Sequence, residues 1–133
     1  MIKKLKPQQT LSKSFKINGI GLHSGEKIVL TLNPAPENSG IKFIRTDLNP
    51  KIEIPALSNF VSRTDRGTTL TKDGEFIKTT EHLLAALFAS SINNCEIEIN
   101  GAEIPIMDGS SKPFSDAILK AGIVKQSESQ EVF

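Results

Sequence analysis

A carboxylate beside an imidazole at the mouth of an apolar helix is the arrangement in this sequence best suited to chemistry. It occurs in Thr79-Thr80-Glu81-His82-Leu83-Leu84-Ala85-Ala86-Leu87-Phe88. At about 100° per residue, Leu83, Leu84, Leu87 and Phe88 fall on one half of a helix, the expected core-facing stripe. Glu81 lies at the edge of that stripe. His82 lies outside it, on a face continued by the small side chains Ala85, Ala86 and Ala89, which would let a substrate or another piece of protein approach closely. Thr79 or Thr80 is expected to cap the helix by accepting a first-turn N–H. The positive helix end suits the Glu81 carboxylate, and the His82 ring has a lone pair to offer a metal ion. Adjacent helical side chains diverge, so the two would flank a third object, such as a water activated by zinc, rather than bond each other. A Glu-His pair at a helix start also arises by chance as a cap or a solvated face, and spacing alone does not separate the two.

The second histidine lies in a glycine-rich stretch. Gly19, Gly21 and Gly25, with His23 and Ser24 among them, predict a tight loop that needs unusual backbone angles. His23 reads either as a satisfied loop side chain or as a site residue.

The chain has 133 residues, the length of one domain able to bury a core without disulfides. A net charge of +1 without like-charged blocks gives no nucleic-acid surface, and seven Phe without Trp or Tyr give no base-stacking platform. The single Cys95 precludes an internal disulfide and fits a reducing compartment. Met1 to Leu11 carries lysines, but Pro7, Gln8, Gln9 and Thr10 stand where a signal peptide's apolar stretch would follow, so a cytoplasmic protein is expected. The longest apolar run, Leu83 to Ala89, is too short to span a bilayer.

The elements that must position these residues can be read in order. Thr10 to Ile17 predicts a first strand, Glu26 to Leu32 a second with Ile28, Leu30 and Leu32 on one face, and Gly40 to Arg45 a third. A short extended piece is expected at Ile52 to Ile54, and an exposed loop at Ser62-Arg63-Thr64-Asp65-Arg66-Gly67. Thr68 to Thr71 and Glu75 to Thr79 flank Asp73-Gly74, a hairpin signal that leads into the Glu81-His82 helix. Cys95 to Asn100 alternates as a strand with one wet face. Asp108-Gly109 marks a turn in which Asp108 is read as structural. Pro113 opens a second helix with Phe114, Ala117, Ile118 and Ala121 on one side, closed by Gly122. Residues 1–123 read as one domain and 124–133 as a frayed polar tail. Two helices on one face of about five largely antiparallel strands make an α+β two-layer sandwich.

Three motifs in order, Gly19-Ile20-Gly21-Leu22-His23-Ser24-Gly25, Thr79-Thr80-Glu81-His82-Leu83-Leu84-Ala85-Ala86-Leu87 and Glu103-Ile104-Pro105-Ile106-Met107-Asp108-Gly109-Ser110, resemble the N-terminal half of the UDP-3-O-acyl-N-acetylglucosamine deacetylase family. The likeness runs to about Gly122. It implies a zinc-dependent hydrolase that removes the acetyl group of UDP-3-O-acyl-N-acetylglucosamine during lipid A biosynthesis in the bacterial cytoplasm. On that likeness His82 is a zinc ligand, Glu81 the general base and His23 a residue near the metal. Gly67 and Thr68 then belong to a small inserted β element bordering the substrate pocket. The family takes its other zinc ligands from a His-Lys-x-x-Asp motif in a second domain, along with a histidine acid and an assisting threonine, and none of these is present here. With only two histidines, the chain would carry half of an active site and be inactive alone. Two further readings stay open: a stand-alone binding module of the same fold, and a self-contained zinc site built from His23, His82 and a carboxylate.

Overall fold

The computed structural model describes residues 6–64 and 67–130. Its strands are β1 (Pro7–Leu11), β2 (Phe15–Ile20), β3 (Lys27–Pro34), β4 (Ile41–Arg45), β5 (Ile52–Pro55), β6 (Val61–Thr64), β7 (Gly67–Lys72), β8 (Glu75–Ile77), β9 (Cys95–Ile99) and β10 (Ile123–Ser129), and its helices are α1 (Glu81–Ala89) and α2 (Lys112–Ala121). The main sheet has the order β2-β3-β9-β4-β5. Its pairs are antiparallel except β4 with β9.

The alternation in Cys95-Glu96-Ile97-Glu98-Ile99 puts β9 at the centre of this sheet. Its odd positions are fully buried, while Glu96 and Glu98 keep partial access to solvent. The register aligns Phe15, Leu32, Ile97, Phe43 and Ile54 in one row across all five strands. The last four of these side chains are wholly inaccessible. α1 and α2 pack against each other and add Leu83, Leu87, Phe114 and Ile118 to the same core. Each such side chain contributes about 1.5–3 kcal/mol on burial. The result is the expected α+β two-layer sandwich, mostly antiparallel. Cys95 is a free thiol inside it.

The small inserted element is a separate sheet, β6-β7-β8. Asp73 (φ 53°) and Gly74 (φ 81°) both take left-handed angles at the β7–β8 turn, as a two-residue hairpin requires. The expected exposed loop at 62–67 is replaced by β6 and the start of β7, whose backbones pair; Asp65 and Arg66 lie outside the described residues. Arg45, 6% exposed, ties this sheet to the main one. Its guanidinium grips Asp47 at 2.5 and 3.1 Å and donates to the Phe76 carbonyl at 3.1 Å and to Glu75 at 3.3 Å.

Three other expectations change. The first strand divides into β1 and β2 because the chain turns at Ser12, whose N–H donates to the Gly122 carbonyl at 2.8 Å. The segment expected to fray from Lys125 forms β10, paired with β1 as far as Ser129. Side-chain amides hold it in place of apolar burial: Gln126 donates to the Ala35 carbonyl at 2.9 Å and accepts from Asn94 at 2.8 Å. The last three residues, like the first five on which part of the leader-sequence reading rests, are outside the described ones. Finally, the fully buried residues of α1 are Leu83, Ala86 and Leu87; Leu84 packs against the core only in part, and Phe88 turns out. Phe88 is 87% exposed, and Ala86 belongs to the core rather than to an open face around His82.

This packing separates two substitutions of similar chemistry. Ile97→Ala is expected to cost about 2–5 kcal/mol, whereas Phe88→Ala should change stability by less than about 0.5 kcal/mol. Urea unfolding of both variants, followed by circular dichroism, measures the difference; equal losses would contradict this burial pattern.

Candidate active site

The start of α1 is fixed from outside the helix. Ahead of it, the Lys78 N–H donates to the Ala102 carbonyl at 2.7 Å and the Lys78 carbonyl accepts from the Ile104 N–H at 3.0 Å. The chain then turns at Thr79, a buried β-branched residue held at φ 63°. Such a conformation costs about 1–3 kcal/mol and persists only where the surroundings impose it. Thr80 is the N-cap residue, yet its hydroxyl makes no capping bond to the first turn. Instead its Oγ1 and its N–H both donate to the Thr68 carbonyl, each at 3.1 Å. The inserted sheet has replaced the cap that the sequence predicted.

That contact also seats Glu81. Its Oε2 accepts the Thr68 N–H at 3.1 Å. Gly67, at φ 120°, passes so close that a Cβ there would stand 2.8 Å from Glu81 Oε1. Gly67 and Thr68, expected beside the pocket, therefore hold the carboxylate expected to act as base. On the helix, Glu81 is about 160° from Leu83, pointing away from the buried stripe. His82, at about 100° from Leu83, is half-buried and is not packed among the leucines. No hydrogen bond or ion pair engages its ring among the described residues.

The glycine-rich loop is organised by a residue to which sequence reasoning gave no role. Glu103 is 2% exposed, and its carboxylate accepts from the N–H of His23 at 3.0 and 3.1 Å and from the N–H of Ser24 at 3.1 Å. The His23 ring meets it through Nδ1 at 2.5 Å, and the Thr79 hydroxyl donates at 3.3 Å. Burial pushes this carboxyl's pKa up, but the bonds from Ser24 and His23 outweigh it and leave the group below its ordinary value of 4.5. Of the three loop glycines only Gly25 needs a left-handed angle, φ 69°. At Gly19 an added Cβ would meet Pro105 Cβ at 2.5 Å, and at Gly21 it would collide with the Glu103 carboxylate. The signal available in the sequence was the position of Glu103 between a strand and a proline-bearing turn, but nothing in the spacing marks it as buried. Asp108 has the structural role expected of it, accepting from the Ser110 N–H at 2.9 Å and hydroxyl at 2.7 Å.

The donor chemistry at α1 fits one metal ligand, His82, with a carboxylate beside it. Among the described residues no three His, Cys, Asp or Glu side chains come together to hold an ion, so His23, His82 and a carboxylate do not form the self-contained centre considered above. A catalytic zinc takes three protein ligands and an open position; the ligands missing here would come from outside these residues.

The α+β sandwich thus presents a carboxylate, and an imidazole unengaged among the described residues, in the first turn of a helix beside an inserted sheet. The family model for UDP-3-O-acyl N-acetylglycosamine deacetylase matches residues 8–133, and the chain belongs to that family. It is 52% identical over 119 residues to UDP-3-O-acyl-N-acetylglucosamine deacetylase of Hahella chejuensis, covering 90% of this chain and 39% of that protein. With the protein of the same name from Myxococcus xanthus it shares 48% over 125 residues, covering 94% and 40%. The Bifunctional enzyme LpxC/FabZ of Chlorobaculum tepidum is 49% identical over 121 residues, covering 91% of this chain and 26% of that one. The chain thus spans about 40% of the length of the single-function relatives. No helix among the described residues is long and apolar enough to cross a membrane.

Because folding lowers the pKa of Glu103, its ionised form favours the native state. That contribution is complete above the unfolded value of about 4.5 and fades as pH falls through the lower, folded value. Glu103→Gln is therefore expected to be less stable at neutral pH and to lose less stability than the parent on acidification below about pH 4.5. Urea midpoints across an acid series check this; parallel curves would contradict it.

Proposed function

We propose that this chain supplies the Glu81-His82 part of a zinc-dependent deacetylase acting on the acetamide of UDP-3-O-acyl-N-acetylglucosamine in cytoplasmic lipid A biosynthesis. The observation that carries the proposal is the clamp of Gly67 and Thr68 on Glu81 beside an imidazole with no partner among the described residues. The family membership gives it a substrate. His82 would hold zinc as one ligand, and the others would come from the part of the relatives' length that this chain does not span.

When bound, zinc supplies a Lewis acid that acidifies water and polarises the amide carbonyl. Glu81 is the base: Oε2 is fixed by the Thr68 N–H, which leaves the second oxygen with lone pairs to accept a proton from the attacking water. The water oxygen bonds to the acetyl carbon, the C–N bond breaks, and the proton held by Glu81 is available to the departing amine. The products are acetate and the free glucosamine nitrogen. Gly67 and Thr68 set where that carboxylate stands.

The outer face of α1 fits a site shared with another part of the polypeptide. Phe88 lies two turns beyond Glu81 and about 20° from it around the helix, so the exposed ring and the base share one side. Leu119 on α2 is also exposed, at 67%. Apolar side chains on the helix layer suit a covering domain that brings the remaining ligands.

The chain alone is expected to release no acetate and to hold zinc weakly, since a single ligand cannot fix the ion. Combined with the remaining part of a relative, it should turn over, and Glu81→Gln should then lower kcat by about 10²–10⁴-fold. Acetate assays and zinc titration by calorimetry decide both points. Tight stoichiometric zinc on the chain alone, or full activity of Glu81→Gln, would overturn the assignment.

A further inference from the structure

We propose that Glu103 is a positioning residue for this site, acting through His23: its buried carboxylate holds the ring as the Nδ1–H tautomer and leaves Nε2, with its lone pair, as the atom offered to the neighbouring cleft. The catalytic consequence rests on the deacetylase reading; the tautomer does not.

An ionised carboxylate can only accept hydrogen bonds. Each group that meets the Glu103 carboxylate is accordingly a donor: the N–H groups of His23 and Ser24, the Thr79 hydroxyl and the His23 ring. The ring nitrogen at 2.5 Å is Nδ1, so Nδ1 carries the proton. In a neutral imidazole the other nitrogen is then an acceptor. Nε2 has no partner among the described residues, and the His23 side chain is 33% exposed. It lines a cavity of about 240 Å³ with Ser24, Glu26, Phe76, Lys78, Ala102 and Glu103, a cavity to which Glu81 and His82 do not contribute.

Two features argue that the carboxylate orients the ring rather than merely filling space. It holds both the backbone N–H and the ring of the same residue, which fixes the side-chain torsions as well as the loop. Gly21 is the residue that makes room for it, since a Cβ there would also press on Ser24 Oγ at 2.5 Å. Through Thr79, the same carboxylate reaches the turn that enters α1. A single buried charge therefore sets His23 and the approach to Glu81 and His82 together. A buried charge is costly unless it is paired and hydrogen-bonded, and an apolar residue would fill the space without orienting a ring.

The test has two arms. In the unaltered chain with ¹⁵N-labelled histidine, long-range ¹H–¹⁵N spectra at a pH where the rings are neutral should show His23 with a protonated Nδ1 and an unprotonated Nε2. The reverse pattern, or an even mixture, overturns the proposal without recourse to any variant. Glu103→Gln should release that preference; its retention in the variant would also overturn it. In the second arm, the chain combined with the rest of a relative is assayed for acetate release from UDP-3-O-acyl-N-acetylglucosamine. His23→Ala and Glu103→Gln should each lower kcat by about ten- to a hundredfold, and the double variant should fall no further than either. Additive losses would show that Glu103 acts independently of His23 and overturn the positioning role. Absence of turnover in the unsubstituted assembly would remove the deacetylase reading, while the tautomer spectrum still decides what Glu103 does to the ring.

Discussion

A carboxylate withdrawn from water must find donors, and that requirement at Glu103 governs how the three motifs meet. The glycine-rich loop gives two N–H groups and an imidazole, the turn before α1 gives a hydroxyl, and the segment after β9 gives the carboxylate itself. These lie up to eighty residues apart in sequence. Weakening any donor would leave part of a charge unsatisfied in the interior, which proteins tolerate poorly. The same bonds keep the group ionised, so the junction is self-consistent.

The inserted sheet is the second organiser. It reaches α1 through Thr68, whose carbonyl receives Thr80 and whose N–H holds Glu81, and it is moored to the main sheet by Arg45. Arg45 holds the Asp47 carboxyl below its usual value, chiefly through their hydrogen bond. The five-stranded sheet thus serves as a rigid base on which two polar junctions aim a helix start. The Thr68 junction fixes where the Glu81 carboxylate stands relative to the helix.

Much of the scaffold was legible because it is governed by apolar periodicity. β3, β4, β9 and α2 follow alternation or helical spacing, and Asp73-Gly74 announced its hairpin. What escaped was held by polar side chains. β10 depends on amides from Gln126 and Asn94 that have no periodic signature, and β6 is short, so both looked like loops. At the site, Glu81, His82, Gly67 and Thr68 could be named from motif likeness, and the structure brings Glu81, Gly67 and Thr68 into contact. Glu103 stands in the third motif, yet its role was not legible, because burial of a charged residue depends on donors that arrive from distant segments. At α1, residue size suggested Phe88 for the core, whereas the small Ala86 is the side chain buried there and Phe88 is exposed.

Cys95 gives the chain an unplanned use. As its single thiol, wholly inaccessible on the central strand and pushed by burial to a pKa of about 12, it has almost no thiolate and no route to a reagent while the sheet is closed. Alkylation must wait for the layer packed over this face of β9 to open. Its rate under mild conditions would therefore clock that opening, with no engineered label.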